Sequence, residues 1–306
     1  SKHRLMFELK NEKVAIPVVL FAGLLWSFGP LVVRYMDQPG LVPWQYIFAR
    51  GLTIFIVLNL YLYFEEGKNF YKNYLKVGTS GFIGGCGLGL AMVTFIYSIT
   101  NTTAAITLLC LAAMPFFTAL LGFLFLKEKI SLNVWVAIII ATVGIIIIAI
   151  GNSEKNSLLG LIFGMTSSIG FSVFSVTLRW KKETPKFTTV AFAGLFCFVV
   201  ATIVILTNDM VFLSTSYNGA LFSLHGTLVC MGLILYSIGS KAIPAAELTL
   251  LSLTEVIGGI FWVWIPILGI NEIPSTNTII GGFFLFMSII YYSLTIKTNR
   301  RFIALN

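Results

Sequence analysis

Long apolar runs recur along this chain of 306 residues and restrict the kind of fold it can adopt. A helix needs about 20 residues to cross the hydrocarbon core of a bilayer, and ten segments of about that length are separated by short polar breaks. Hydrophobic residues make up 58% of the chain and charged residues 10%, which excludes a soluble domain with a polar surface. The runs are continuous and not alternating, so the sequence predicts an all-α integral membrane protein.

We number the predicted transmembrane helices as spans 1 to 10 in chain order. Their predicted bounds are Val14–Met36, Trp44–Phe64, Lys76–Ile99, Thr103–Leu126, Leu132–Ile150, Ser157–Trp180, Phe187–Thr207, Gly219–Ile238, Ala245–Leu268 and Thr276–Thr295.

The basic residues predict the orientation of the spans. All but three of the 20 Lys and Arg residues lie in the terminal segments or in alternate breaks, the exceptions being Arg34, Arg50 and Lys155. By the positive-inside rule, both termini and these breaks are expected in the cytoplasm. The net charge of +8 is explained by this topology, so it does not call for a nucleic-acid partner.

A weak internal repeat divides the chain into two halves. Gly23 and Gly29 of span 1 have the same spacing as Gly164 and Gly170 of span 6. Each half holds five spans, and because five is odd, the second half is expected to be inverted, as in many secondary transporters. The predicted organisation is a cytoplasmic segment 1–13, a five-helix repeat 14–150, an inverted five-helix repeat 157–296 and a cytoplasmic tail 297–306.

Glu255 interrupts the apolar run of span 9. A charge at mid-membrane is costly, so this carboxylate is expected to face protein or a water-filled cavity. On a continuous helix it would share one stripe with four residues that together suggest a cavity wall: Leu248, Ser252, Gly259 and Trp262. Two interpretations stay open, since Glu255 could contact a positive substrate group or carry a proton, or it could simply tie two helices together.

Two basic side chains away from the ends of their spans are also candidate site residues. Arg50, in span 2, is a candidate partner for Glu255 or for a substrate carboxylate, and the alternative is that it snorkels to the interface. His225, in span 8, is either a group that titrates in the physiological range or an ordinary packing residue.

Aromatic residues and prolines favour a cavity at the centre of the bundle. Trp26, Tyr97 and Tyr236 lie beside polar interruptions of their spans and are candidate cavity liners, with apolar bulk as the alternative. Pro30 in span 1 and Pro115 in span 4 each remove an intrahelical hydrogen bond, so both helices are expected to kink there.

The sequence carries no catalytic or metal-binding pattern. It has neither a Ser, His and Asp set nor HExxH spacing, and its four cysteines lie in apolar runs without CxxC spacing. We therefore expect no enzymatic activity, no cofactor and no metal. The expected partners are a small-molecule substrate, membrane lipid and a coupling proton or counter-substrate, with no nucleic acid.

Four motifs together resemble the EamA-type drug/metabolite transporter superfamily. They are "GLLWSFGP" in span 1, "PWQYIFAR" in span 2, "AAMPFFTALLGFLFLKEKIS" (Ala112–Ser131) at the end of span 4, and "LTEVIGGIFWVW" followed by "NEIPS" in and after span 9. The resemblance covers nearly the whole chain. It departs from the family pattern at Val256, where a proline often follows the glutamate, and in about three extra residues before Glu272.

The resemblance implies a secondary transporter whose cavity lies between two groups of helices, with spans 5 and 10 at the periphery. It also implies that Arg50, Glu128 and Glu272 are frequent family positions with structural roles. From these features we expect an alternating-access exporter or exchanger of a small amino acid, amine or similar ion in a bacterial cytoplasmic membrane. An importer, or a receptor or scaffold that does not transport, is the alternative.

Overall fold

The computed structural model describes residues 12–151, 157–181 and 186–303, and these ranges are helical and contain no strand. The predicted segment 1–13 lies outside the described residues except for its last two, and so do the side chains of the tail from residue 297 onward. The helices are α1 (Glu12–Ser27), α2 (Gly29–Tyr35), α3 (Pro43–Glu66), α4 (Lys72–Leu75), α5 (Gly78–Asn101), α6 (Ala104–Leu111), α7 (Met114–Leu126), α8 (Leu132–Ile150), α9 (Ser157–Trp180), α10 (Lys186–Thr207), α11 (Ser216–Gly239), α12 (Ala245–Leu251), α13 (Thr254–Trp264) and α14 (Thr276–Ile303).

Nine helical segments among the described residues are long and apolar enough to cross a membrane. They coincide with predicted spans 1 to 9, from Glu12–Tyr35 to Ala245–Trp264. At the position predicted for span 10, α14 contains a shorter apolar helix, Thr276–Tyr292. Large apolar side chains, among them Phe123 and Phe283, are exposed on the outside of the bundle, where lipid would cover them. The chain is a multi-pass membrane protein.

Three of the spans are broken near their middles. Span 1 divides into α1 and α2, and span 4 into α6 and α7. Pro30 and Pro115 each lie in the first two residues of the second segment, so the kinks predicted at these prolines are confirmed. Proline supplies no N–H and clashes with the preceding turn, so neither helix continues across the break.

Span 9 differs from its prediction as one helix over Ala245–Leu268. It divides into α12 and α13 without a proline, and α13 ends at Trp264. At the break, Ser252 Oγ donates to the carbonyl of Thr249 (2.7 Å), and the Leu253 N–H donates to the carbonyl of Leu250 (3.2 Å). These bonds close tight turns in place of the regular α-helical pattern.

Spans of the first half of the chain pack in pairs on spans of the second half. Helix α3 packs on α10, α8 packs on α14, α5 packs on α9, and α1 packs on α11. The broken spans 4 and 9 run side by side in opposite directions, because α7 contacts α12 while α6 contacts α13. The middle of each broken span therefore lies at the centre of the bundle.

Helix α14 lies antiparallel along the full length of α8. Asn277 Nδ2 donates to the carbonyl of Ile147 (3.2 Å) near one end of the pair, and Tyr291 OH contacts Asn133 Oδ1 (3.2 Å) near the other. Between them, Ser288 Oγ donates to the carbonyl of Ala137 (2.6 Å). Helix α14 thus follows span 5 from one end to the other.

Candidate functional site

A cavity of about 70 Å³ lies at the centre of the bundle, level with the breaks in spans 4 and 9. Seven spans contribute to its wall, and α8, α10 and α14 do not contribute among the described residues. Most of the wall is aromatic, aliphatic or thioether, with a few polar groups set into it. The lining residues include Trp26, Arg50, Phe171, His225 and Glu255.

Glu255 lies in the first turn of α13, directly after the break in span 9. Its residue is 9% exposed, and among the described residues its carboxylate forms no ion pair. The N-terminus of a helix carries a partial positive charge, which favours a carboxylate at this position. The break therefore places a carboxylate without a basic partner in the cavity wall.

Arg50 lines the same cavity from α3. One Nη donates to the carbonyl of Met92 in α5 (2.5 Å), and the guanidinium carbon lies 5.5 Å from the centre of the Tyr46 ring. It is 3% exposed, so the snorkelling interpretation is wrong. The ion pairs of the described residues do not include one between Arg50 and Glu255. Among the described residues, the cavity wall therefore holds a guanidinium and a carboxyl group that are not paired with each other.

His225 of α11 completes the polar part of the wall. It is 2% exposed, and its ring packs edge-on against Tyr46, with centroids 5.4 Å apart. A Cβ at Gly29 would lie 2.6 Å from Nε2, so the glycine makes room for this ring. Nδ1 has no hydrogen-bond partner in the described part of the chain, so His225 is not the satisfied packing residue that the alternative interpretation expected.

Trp26 and Tyr236 form one aromatic wall in two layers. Trp26 lines the cavity, and its Nε1 donates to the carbonyl of Val229 (3.3 Å). Tyr236 is fully buried behind it, with ring centroids 5.4 Å from Trp26 and 5.2 Å from Phe171. The Tyr236 hydroxyl is hydrogen-bonded to Ser175 Oγ (2.5 Å). Tyr236 therefore supports the wall and is not one of its liners.

Three predicted site residues lie away from the cavity wall. Tyr97 packs against Trp44 on one side and Phe163 on the other. Ser252 is buried with its hydroxyl turned back onto its own helix. Trp262 stacks on Phe28 and donates from Nε1 to Ser27 Oγ (2.9 Å).

The predicted stripe on span 9 is wrong because that span is not one helix. The stripe required regular helical spacing from Leu248 to Trp262, and the break at Ser252–Leu253 interrupts that spacing. Of the five stripe residues, only Glu255 lines the cavity.

Several cavity residues were missed by sequence reasoning. Met92 and Met114 contribute thioethers, and Ser167 and Phe171 contribute the face of α9. Ser167 Oγ donates to the carbonyl of Ala91 (2.8 Å). Ser167 belongs to a cluster of hydroxyl and small residues in span 6, and Met114 precedes Pro115, so both could have been found by examining the interruptions of every span.

Residues 13–150 match the model of the EamA-like transporter family, and this range covers predicted spans 1 to 5. The chain carries an EamA-like segment. The resemblance to EamA-type drug/metabolite transporters is thereby confirmed.

Individual relatives cover only part of the chain. An uncharacterized transporter of Helicobacter pylori strain J99 is 28% identical over 164 residues, which are 53% of this chain and 52% of that protein. The chain therefore spans about half the length of this relative. The pseudopaline exporter CntI of Pseudomonas aeruginosa strain PAO1 is 25% identical over 211 residues, which are 68% of this chain and 72% of that protein.

One protein of known crystal structure shares the fold. It superimposes with a TM-score of 0.74 over 94% of this chain and 98% of its own, at 16% sequence identity. The arrangement of the helices is therefore found in an experimental structure.

Proposed function

We propose that this protein is a secondary active transporter that moves a small organic metabolite by alternating access. The observation that carries the proposal is the central cavity, where Arg50 and Glu255 both face the interior without forming an ion pair. Burying an unpaired guanidinium and an unpaired carboxyl group is costly unless a proton neutralises the carboxyl or something else meets both groups. A substrate with complementary charges would do so.

The chemistry of the cavity favours a zwitterion or a cation. A carboxylate of the substrate would meet Arg50, an ammonium group would meet Glu255, and the wall of Trp26 and Phe171 would cover an apolar part between them. A substrate with two phosphate groups is disfavoured, because Arg50 is the only Lys or Arg in the described cavity wall. Glu255 would also be the group that carries a coupling proton, if a proton is coupled.

We propose export or exchange across a bacterial cytoplasmic membrane. The bacterial relatives, one of which is an exporter, support this direction and location. An importer with the same cavity is the alternative on direction, and a receptor or scaffold that binds without transport is the alternative on activity.

We further propose ten spans in two inverted five-helix repeats, 14–150 and 157–296. The antiparallel hydrogen bonds between α8 and α14 support span 10, because a helix that follows span 5 over its whole length has to cross the same bilayer. Reciprocal glycine contacts support the repeats. Gly51 of span 2 meets Gly194 of span 7, and Gly144 of span 5 meets Gly281 of span 10.

Thermal unfolding of the purified protein with a library of amino acids, amines and osmolytes tests the proposal. A ligand at 100 times its Kd adds about 2.7 kcal/mol to the free energy of unfolding, which is a readily measured shift. We expect a hit among zwitterions or cations, and we expect Glu255→Gln to abolish the shift while remaining folded. Glu247→Gln is the matched control, since Glu247 lies in the same span but lines a separate pocket.

Flux into liposomes separates the alternatives. A transporter moves the hit ligand across the bilayer, and Glu255→Gln slows that movement. A receptor or scaffold binds the same ligand without flux. Normal flux through well-folded Glu255→Gln would reject the role proposed for this carboxylate.

A further inference from the structure

An Arg–Glu pair ties four segments together where spans 3 and 9 end. Arg34, in the last turn of α2, donates from Nε to Glu272 Oε2 (3.0 Å). Its two other nitrogens donate to the carbonyls of Ile99 (3.1 Å) and Thr102 (3.2 Å), where α5 ends. The other oxygen of Glu272 accepts from the N–H of Ala104 (3.2 Å), the first residue of α6. We call these five residues the Arg34 cluster.

A second Arg–Glu pair makes the same connections where spans 4 and 8 end. Arg179, in the last turn of α9, donates from Nε to Glu128 Oε1 (2.6 Å). One Nη donates to the carbonyls of Ser240 (2.8 Å) and Ile243 (2.7 Å), where α11 ends. The other oxygen of Glu128 accepts from the N–H of Ala245 (3.3 Å), the first residue of α12. We call these five residues the Arg179 cluster.

The two clusters correspond residue by residue. Each member of the Arg34 cluster has a counterpart about 140 residues away in the Arg179 cluster, as expected for internal repeats. The two glutamates are exchanged between the halves. Glu272 of the second half joins the Arg34 cluster, and Glu128 of the first half joins the Arg179 cluster. Each cluster therefore links the two halves of the chain.

The clusters lie at opposite ends of the broken spans 4 and 9. Span 4 begins at Ala104 in the Arg34 cluster and ends just before Glu128 in the Arg179 cluster. Span 9 runs in the opposite sense, from Ala245 in the Arg179 cluster toward Glu272 in the Arg34 cluster. The cavity lies between the clusters, since span 4 lines it with Met114 and span 9 with Glu255.

We propose that the two clusters are gates that hold one or the other end of the cavity closed. This inference rests on the proposed transport function. The four residues that form the ion pairs, Arg34, Glu272, Arg179 and Glu128, would be positioning residues, because none of them lines the cavity. The Arg34 cluster opens when spans 1 and 4 separate from the end of span 9, and the Arg179 cluster opens when spans 6 and 9 separate from the end of span 4.

The chemistry of the clusters suits a gate. Each guanidinium uses its fork of donors on a carboxylate and two main-chain carbonyls, and each carboxylate covers a helix N-terminus. The arginine and glutamate side chains stay 16% to 29% exposed, so water is available to solvate them when a cluster opens. Both clusters are formed in this structure, and transport requires that only one be open at a time.

Face-selective labelling of a cavity thiol tests the gates without a substrate. Ser167→Cys places a thiol in the cavity wall, and a membrane-impermeant maleimide is applied to one face or the other of oriented membrane vesicles. The parent protein, with its four native cysteines, gives the background. We expect Glu272→Gln to raise labelling about tenfold from the face of the Arg34 cluster alone, since it weakens a charge-assisted hydrogen bond. Glu128→Gln should raise labelling from the opposite face alone.

Matched variants keep the test decisive if a glutamine variant unfolds. Arg34→Lys and Arg179→Lys keep the positive charge but lose the planar set of guanidinium donors. Each should therefore raise labelling from the same single face as the matching glutamine variant, by a smaller factor. Thermal unfolding of every variant reports whether the fold is intact. Equal labelling from both faces, or no change in a stable variant, would overturn the proposal.

The outcome is separable from that of the proposed function. Face-selective opening without ligand flux would reject transport and leave the gates in place. Ligand flux with labelling unchanged by all four variants would reject the gates and leave the transporter.

Discussion

His225 combines a place in the cavity wall with a buried nitrogen that has no partner among the described residues. An unpaired buried polar atom costs about 1–3 kcal/mol. Its removal should therefore stabilise the ligand-free protein, and it should weaken binding of a ligand that contacts this atom. We expect His225→Met to raise the free energy of unfolding by about 1 kcal/mol and to weaken ligand binding about tenfold. Thermal unfolding with and without the ligand measures both effects.

Ser168 provides the control for this prediction. Its hydroxyl is also buried without a partner in the part of the chain that the structure describes, but it does not line the cavity. Ser168→Ala should therefore stabilise the apo protein in the same direction and leave ligand affinity unchanged. If both variants weaken binding equally, His225 has no special contact with the ligand.

The ionisable residues of the cavity wall were easier to predict from sequence than the aromatic residues. Glu255, Arg50 and His225 are polar groups in apolar runs, and the cost of burying them points to an interior cavity. Burying Trp262 or Tyr97 carries no such cost in free energy, because aromatic side chains are also common in a packed core. The positions of those two rings depend on neighbours from other spans, such as Phe28 and Phe163, which no local pattern reveals.

At the scale of the elements, the two central breaks have different causes and differ in how easily sequence predicts them. Pro115 predicts the break in span 4, because proline lacks the N–H and its ring clashes with the preceding turn of the helix. The break in span 9 coincides with hydroxyls that bond to main-chain carbonyls of the same span, as Ser252 Oγ does with Thr249 (2.7 Å). Such hydroxyls occur in many unbroken helices, so this break was not predicted.

Helix α14 offers a matched pair of glycines that tests its packing on α8. A Cβ at Gly281 would overlap Ile148 and the carbonyl oxygen of Gly144, whereas a Cβ at Gly282 would meet no atom of the described residues within 4 Å. Gly281→Ala should therefore destabilise the protein by about 1–3 kcal/mol. Gly282→Ala should be neutral or slightly stabilising, because alanine favours the helix. Thermal unfolding in detergent compares the two, and equal effects would contradict the close packing of α8 and α14.

At the scale of the whole molecule, the proposed repeat would explain features that single spans do not. Spans 4 and 9 are broken at equivalent places, and the Arg34 and Arg179 clusters make equivalent connections at opposite ends of those spans. Sequence comparison of the halves detected only the shared glycine spacing of spans 1 and 6 and a Tyr-Ser-Ile triplet in spans 3 and 8, whereas equivalent helix ends make the same contacts. The proposed repeat is therefore supported more by the hydrogen bonds at the helix ends than by matching residues.

The number of spans decides on which side of the membrane the chain ends lie. Ten crossings place both ends on one side, and nine place them on opposite sides. Because α14 follows α8 from Asn133 to Ile147, we expect it to cross, with both ends in the cytoplasm beside most of the basic residues. A reporter active only in the cytoplasm, fused at either end, should be active at both. The same reporter inserted in the segment 208–215 between α10 and α11 should be inactive, and activity there or silence at the C-terminal end would refute this topology.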